Sequence, residues 1–267
     1  MQVNIRLSIL LMIAALIAPV LANAQFEKIT TLSHPEVLLA AVDRPGDLYI
    51  ISRDSAITRY DLNGKLQQRG TMPFSPEIFD PHDGSRLFAF DIDTQHYLYF
   101  TPSFTFQERP TRPDSVFAID PVFACASGDR DLIILDSTDR SLKKIDLKRQ
   151  RLLFESILPD STVNFSTLKS IREYQNFIFM LDSEKGILIF NMLGRLLKTI
   201  PAEGIAYFNF IGEELYYPQG ESLRFFNLFS AETRAIELPH RARFALLTDE
   251  RLYLVNETTT DVFSLKP

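Results

Sequence analysis

The sequence predicts an all-β fold, a six-bladed β-propeller with four antiparallel strands per blade, on three observations. A hairpin unit of apolar run, polar turn and alternating strand recurs along the chain. No segment after residue 24 sustains the apolar period of about 3.6 residues that marks an amphipathic helix. A strand-like stretch stands unpaired near the start, while the last hairpin unit runs out one strand short.

Residues 1–24 are set apart from the fold. Arg6 precedes the apolar run "LSILLMIAALIAPVL", and "ANA" (Ala22, Asn23, Ala24) follows as a small-x-small cleavage site. The run is short for a membrane span and the chain turns polar directly after it, so a cleaved signal peptide over 1–24 is expected. Residues 25–267 then form one propeller domain in a secreted or periplasmic protein. No cysteine near the cleavage point marks it for lipidation, and no later segment is apolar enough to span a membrane.

Charge narrows the partners. The chain carries a formal net charge of −6 and no basic tract, which argues against nucleic acid. A monomer is expected. Cys125 is the single cysteine, so packing and not a disulfide must hold the fold. Within "VFACASG" it reads as a small buried hydrophobe.

The hairpin "GDLYIISRDSAITRYDLNGKL" has five further copies. The first strands of all six start at Leu48, Leu87, Ile133, Ile178, Leu215 and Leu252, spaced 39, 46, 45, 37 and 37 residues apart. The first strand of each copy, such as "LYII" or "IFML", is a compact apolar run suited to burial on both faces. The second alternates, as in "ITRYDL". An inner strand precedes the pair at 37–42, 122–127, 205–211 and 243–248, and a weaker outer strand follows, as in "LQQRG" and "LLFES". Four strands at this period are the signature of a propeller blade. The last copy ends after three strands, so residues 25–32 are expected to pair with its third strand near 261–266 and close the ring. Closure removes open edges that invite aggregation. With 22 Phe and no Trp, phenylalanine must fill the wedges between blades. The stretch 99–117 holds three prolines and four phenylalanines, and reads as a protruding loop.

The stretch "HPEVLLAAVDRPGDLYIISRDSAITRYDLNGKL" resembles an NHL-type repeat: Pro, apolar strand, Asp, Gly, "LYI", polar turn, aromatic, Asp, Asn-Gly. "ILIFNMLGRLLKTI" repeats part of it. The resemblance is to six-bladed propellers of the NHL-repeat and TolB-like type, and it implies ligand binding at the mouth of a central channel. The lactonase-type relatives of that architecture place a divalent cation there. No Glu-Asn-Asn-Asp ligand set can be matched in this chain.

In a propeller the turn between the second and third strands shares a face with the loop leading into the inner strand. Glu36, Glu77, Asp120 and Arg241 occupy lead-in loops, and Arg53 and Asp91 occupy second-to-third turns. These six are the candidate ligand-binding residues. Converging carboxylates there suit Ca²⁺, which takes about six to eight oxygen ligands. The competing reading is that Asp, Asn and Ser recur because they hydrogen-bond their own turn backbone. No metal ligand set and no catalytic residue is assigned. Arg241 and Arg243 in "HRARF" read as an anion site or as a solvated strand end. The four histidines, His34, His82, His96 and His240, lack metal-ligand spacing. No G-x-S-x-G elbow, Walker A loop or dinucleotide fingerprint occurs.

Two functions follow. One is a non-catalytic secreted module that presents loops to a protein, peptide or glycan. The other is a Ca²⁺-dependent, lactonase-like hydrolase or lyase acting at the channel mouth.

Overall fold

The computed structural model describes residues 26–106, 109–113, 116–128, 131–159 and 161–265. The expected signal peptide over 1–24 lies outside them. After β1 (Phe26–Ser33), blade one contains β2 (Val37–Val42), β3 (Leu48–Ser52), β4 (Ala56–Tyr60) and β5 (Leu66–Thr71). Blade two contains β6 (Ile78–Asp80), β7 (Leu87–Asp91) and β8 (His96–Phe100). Blade three contains β9 (Pro121–Ser127), β10 (Asp131–Asp136), β11 (Ser141–Asp146) and β12 (Arg151–Ile157). Blade four contains β13 (Leu168–Tyr174), β14 (Phe177–Asp182), β15 (Gly186–Asn191) and β16 (Leu196–Ile200). Blade five contains β17 (Asn209–Ile211), β18 (Glu214–Gln219), β19 (Ser222–Asn227) and β20 (Thr233–Glu237). Blade six contains β21 (Phe244–Leu247), β22 (Arg251–Val255) and β23 (Thr259–Leu265). All pairing is antiparallel between sequence neighbours, except that β1 joins β23. No helix occurs among the described residues.

In blades one and two the second strand is the most buried. β3 and β7 are buried at every position, because each has strands on both sides and a neighbouring blade on each face. Outer strands such as β5 and β20 are largely exposed. The core therefore lies between blades, as separate wedges of apolar side chains. Full burial of one aromatic ring in such a wedge stabilises by about 1.5–3 kcal/mol. Three tyrosines buried on second strands also tie elements together through their hydroxyls. Tyr216 donates to Leu247 O at 3.3 Å and accepts Leu247 N–H at 2.9 Å, joining blade five to blade six. Tyr253 donates to Gly46 O at 2.8 Å, joining blade six to blade one. Tyr49 donates to Asp43 Oδ2 at 3.0 Å within its own blade. Cys125 is buried as expected, and burial pushes its thiol well above the ordinary range.

Two local expectations change. In the stretch 99–117, the described residues 99–106 and 109–113 do not form a protruding aromatic loop. Phe104 turns inward onto Tyr49 and Phe100, and the chain folds back along β8 through bridges Phe100↔Phe106 and Tyr97↔Thr111, which supply the outer edge of blade two. Gly70 makes room for this, since a Cβ there would meet the Phe104 side chain at 3.0 Å. The inner strand expected over 205–211 shortens to β17, because Tyr207 instead donates across to Ala245 O at 3.0 Å.

Closure follows the expected pairing. Phe26 lies opposite Leu265 and Ser33 opposite Thr259, with one irregularity between Lys28 and Thr30. Side chains reinforce the seam. His34 Nε2 and Thr260 Oγ1 lie 2.9 Å apart in a buried contact. Asp261 on β23 accepts from Lys28 Nζ at 2.8 Å and Thr31 Oγ1 at 2.7 Å on β1, and from His240 Nε2 at 2.9 Å. Burial alone would raise the Asp261 carboxyl, but these donors outweigh it and hold the group below its ordinary range.

A carboxyl depressed in the folded state stabilises fully above its unfolded pKa, about 3.9. That stabilisation is lost as pH falls through the lower folded value. Asp261→Asn is expected to reduce the urea unfolding free energy by about 1 kcal/mol at pH 7. The difference between wild type and variant should be smaller at about pH 2. Equilibrium urea curves at the two pH values measure both.

Candidate functional site

The candidate residues on the lead-in face fall into separate groups. Glu36 and Arg53 pair with each other. Glu77, Asp91 and Asp93 bring one carboxylate oxygen each within 4.8 Å of the others. Asp120 accepts from Gln95 at 2.5 Å and from Ser137. Arg241 is exposed and makes no ion pair among the described residues. No ion pair or hydrogen bond among the described residues joins one of these groups to another. Arg243 is neither an anion site nor a solvated strand end. It donates to Val37 O at 2.7 Å and Leu38 O at 3.2 Å, bracing blade six against blade one.

Most of the acidic repetition on this face is turn chemistry. Asp54, Asp91, Asp136 and Asp182 each accept the backbone N–H two residues on, at 2.9–3.2 Å. Asp91 also accepts from Thr94 Oγ1 at 2.6 Å, and Glu77 accepts Ile92 N–H at 2.8 Å. Burial pushes the Glu77 carboxyl above its ordinary range; the Ile92 N–H opposes this, and the Asp91 and Asp93 charges add to it.

The opposite face carries a bowl. Two adjoining cavities of about 460 and about 290 Å³ share Arg44, His82 and Tyr174 in their walls. They are rimmed by the turns between first and second strands, and every blade contributes: Arg44, His82, Gly128, Gln175, Gly212 and Asp249 in blade order. The wall extends down the inner strands. On β13, Arg172 donates to Asn209 Oδ1 of blade five at 2.8 Å and to Asp80 Oδ1 of blade two at 3.4 Å. One guanidinium thereby bridges blades two, four and five. It also lies 5.2 Å from the Phe210 ring centroid, and Tyr174 stacks on the same ring at 4.2 Å with an interplanar angle of 7°. Tyr174 donates to Gly212 O at 2.6 Å, which fixes the ring across the seam between blades four and five.

His82 stands edge-to-face with Tyr174 at 5.3 Å, and its backbone N–H donates to Asp80 Oδ1 at 2.9 Å. Burial lowers the His82 pKa; Asp80 opposes this, while Arg172 and Arg44 reinforce the preference for the neutral imidazole. His82 Nε2 and Arg172 Nε are buried without a hydrogen-bond partner. Each belongs to a side chain packed against an aromatic ring, and the Arg172 N–H finds partial compensation there. Arg86 lies 4.3 Å over the Tyr99 ring and donates to Gly128 O at 3.2 Å, closing the wall between blades two and three.

Sequence reasoning does not single out Arg44, Asp80, His82 or Arg172 for this bowl. The available signal is the charge density of the first turns, "DRPGD" and "HDGSR", set beside inner strands that break their apolar run, as in "LKSIREY".

No protein-family model matches the chain, and no curated protein sequence matches it. Solved structures do. The Neurospora crassa Pan2 WD40 domain aligns with a TM-score of 0.59 at 10% identity, over 92% of this chain and 97% of that one. A chain in the crystal structure of the mitotic checkpoint complex aligns with a TM-score of 0.62 at 9% identity, over 99% and 100%. At such identities the likeness establishes the fold. The protein is a six-bladed β-propeller with a WD40 propeller among its structural neighbours.

Arg172→Gln would leave Asp80 without its cation in a largely buried setting. The variant is expected to lose about 2 kcal/mol of unfolding free energy. Asp80→Asn with Arg172→Gln should recover part of that loss. Denaturant titration of the three variants measures the coupling.

Proposed function

We propose that this protein is a secreted, non-catalytic propeller of the NHL-repeat or TolB-like kind, and that it docks a protein or peptide segment over the bowl on its first-turn face. The observation that carries the reading is the convergence of all six first turns on one cavity system. A concave site with mixed polar and aromatic walls is the usual form of a binding pocket, and about 300–1,000 Å³ is the usual size. The NHL-type assignment is supported by what the blade-one motif does. Asp43 accepts Gly46 N–H at 2.9 Å and Asp47 N–H at 2.8 Å, so the Asp-x-x-Gly signature shapes the turn that carries Arg44.

Cys125 is buried, with its thiol pushed far from reactivity, so an introduced surface cysteine is labelled selectively. Gln175→Cys and Arg241→Cys, each carrying a photocrosslinker, probe the two faces in turn. After capture, the polypeptide is purified and recombined with the unlabelled protein. The bowl reading expects crosslinking from position 175 and binding on recombination. Crosslinking from position 241 alone transfers docking to the lead-in face and overturns it.

One observation favours a second reading: the close approach of Glu77, Asp91 and Asp93 suits a divalent cation and hence a Ca²⁺-dependent hydrolase or lyase. All three belong to one blade, and Asp91 is engaged at both oxygens by its own turn. Calorimetric titration with Ca²⁺ is expected to show no binding tighter than about 1 mM. Micromolar binding that Glu77→Gln with Asp91→Asn abolishes would put the hydrolase reading ahead.

A further inference from the structure

The charges around the bowl do not cancel once its internal pairs are set aside. Arg172 is engaged by Asp80 and Asn209. Asp43 is engaged by its own turn and Tyr49. Arg86 is held on Tyr99 and by Gly128 O. Of the remaining charged wall groups, Arg44 is the cation, and Asp83, Glu173 and Asp249 are the anions. None of these three carboxylates forms an ion pair among the described residues. Asp83 accepts from Ser85, Glu173 accepts Asn176 N–H at 3.1 Å, and Asp249 is exposed. They come from blades two, four and six, so the excess negative charge surrounds the cavity and is not a local run. Groups of one sign focused by a concave low-dielectric wall raise the local concentration of the opposite sign.

The wall already receives a cation. Arg86 shows a guanidinium seated between an aromatic face and a first-turn carbonyl, Gly128 O, at this same bowl. Gly212 O presents a second carbonyl of the same kind, which accepts from Tyr174 and from Gln175 at 2.8 Å.

Resting on the docking reading above, we infer that the bowl selects a basic peptide segment, with a lysine or arginine side chain entering between Asp83 and Glu173. The ammonium or guanidinium supplies three or more N–H donors, and the two carboxylates accept them together with Gly128 O, which has one lone pair left beside Arg86. Arg44, a wall cation that neither an ion pair nor an aromatic ring holds among the described residues, opposes the ligand and sets a ceiling on affinity.

The test uses the intact mature protein and three fluorescein-labelled hexapeptides: (Lys-Gly)3, (Glu-Gly)3 and (Ser-Gly)3. Fluorescence anisotropy is expected to give (Lys-Gly)3 an affinity at least tenfold above (Ser-Gly)3, falling as salt rises. Asp83→Lys with Glu173→Lys should weaken the lysine peptide by tenfold or more, and Arg44→Ala should strengthen it, with melting temperatures confirming that each variant folds. Tightest binding of (Glu-Gly)3, weakened by Arg44→Ala, overturns the inference and leaves the docking reading standing, since the bowl would then be an anion site. Peptide binding that no bowl variant alters, or no binding of any of the three peptides, overturns both.

Discussion

Everything in this fold depends on the pairing of β1 with β23. A propeller blade has no interior of its own, and its second strand is buried because a neighbouring blade covers each face. With six blades, the wedge between blades six and one forms only if the chain's two ends meet. The seam from Phe26 opposite Leu265 to Ser33 opposite Thr259 achieves this. The Asp261 contacts with Lys28, Thr31 and His240 then add side-chain specificity to the backbone ladder. The Tyr253 hydroxyl on Gly46 O and the Arg243 guanidinium on Val37 O then tie the closed blade six to blade one. Closure therefore sets the positions of the blade-one turn, and with it Arg44.

The ring has two faces with different uses of charge. On the lead-in face, aspartates are consumed by their own turns, and Glu36 is paired with Arg53. On the first-turn face, Arg172 pairs with Asp80, and Asp83, Glu173 and Asp249 form no ion pair among the described residues. Arg172 is the hinge of this arrangement. By bridging blades two, four and five, it holds the inner strands at the spacing that leaves a bowl and not a closed core.

Much of this architecture is legible in the sequence. The starts of the apolar runs at Leu48, Leu87, Leu215 and Leu252 lie at or next to the first residues of β3, β7, β18 and β22, because a strand buried on both faces must be continuously apolar. The inner strand expected over 37–42 coincides with β2. The inner strands of blades two and four give no comparable signal. β6 has only three residues, and β13 carries Lys169, Ser170, Arg172 and Glu173 among its apolar positions. Those interruptions are what the site is made of, since an inner strand that lines a channel must show polar groups to it. The site is obscured for a second reason. Aspartate recurs in second-to-third turns to cap backbone N–H groups, and this periodic signal outweighs the irregular charges of the first turns, where the bowl lies.

Native-state hydrogen exchange on the intact protein tests the dependence of the whole ring on its closure most directly. If β1 is an integral strand, amides of β1 and of β23 exchange with one common opening free energy, close to that of the buried strands β3 and β22. If β1 amides exchange within seconds while β22 and β23 stay protected, the N-terminal strand is an appendage and the ring is held by other contacts, which contradicts closure as the constraint on which the fold depends.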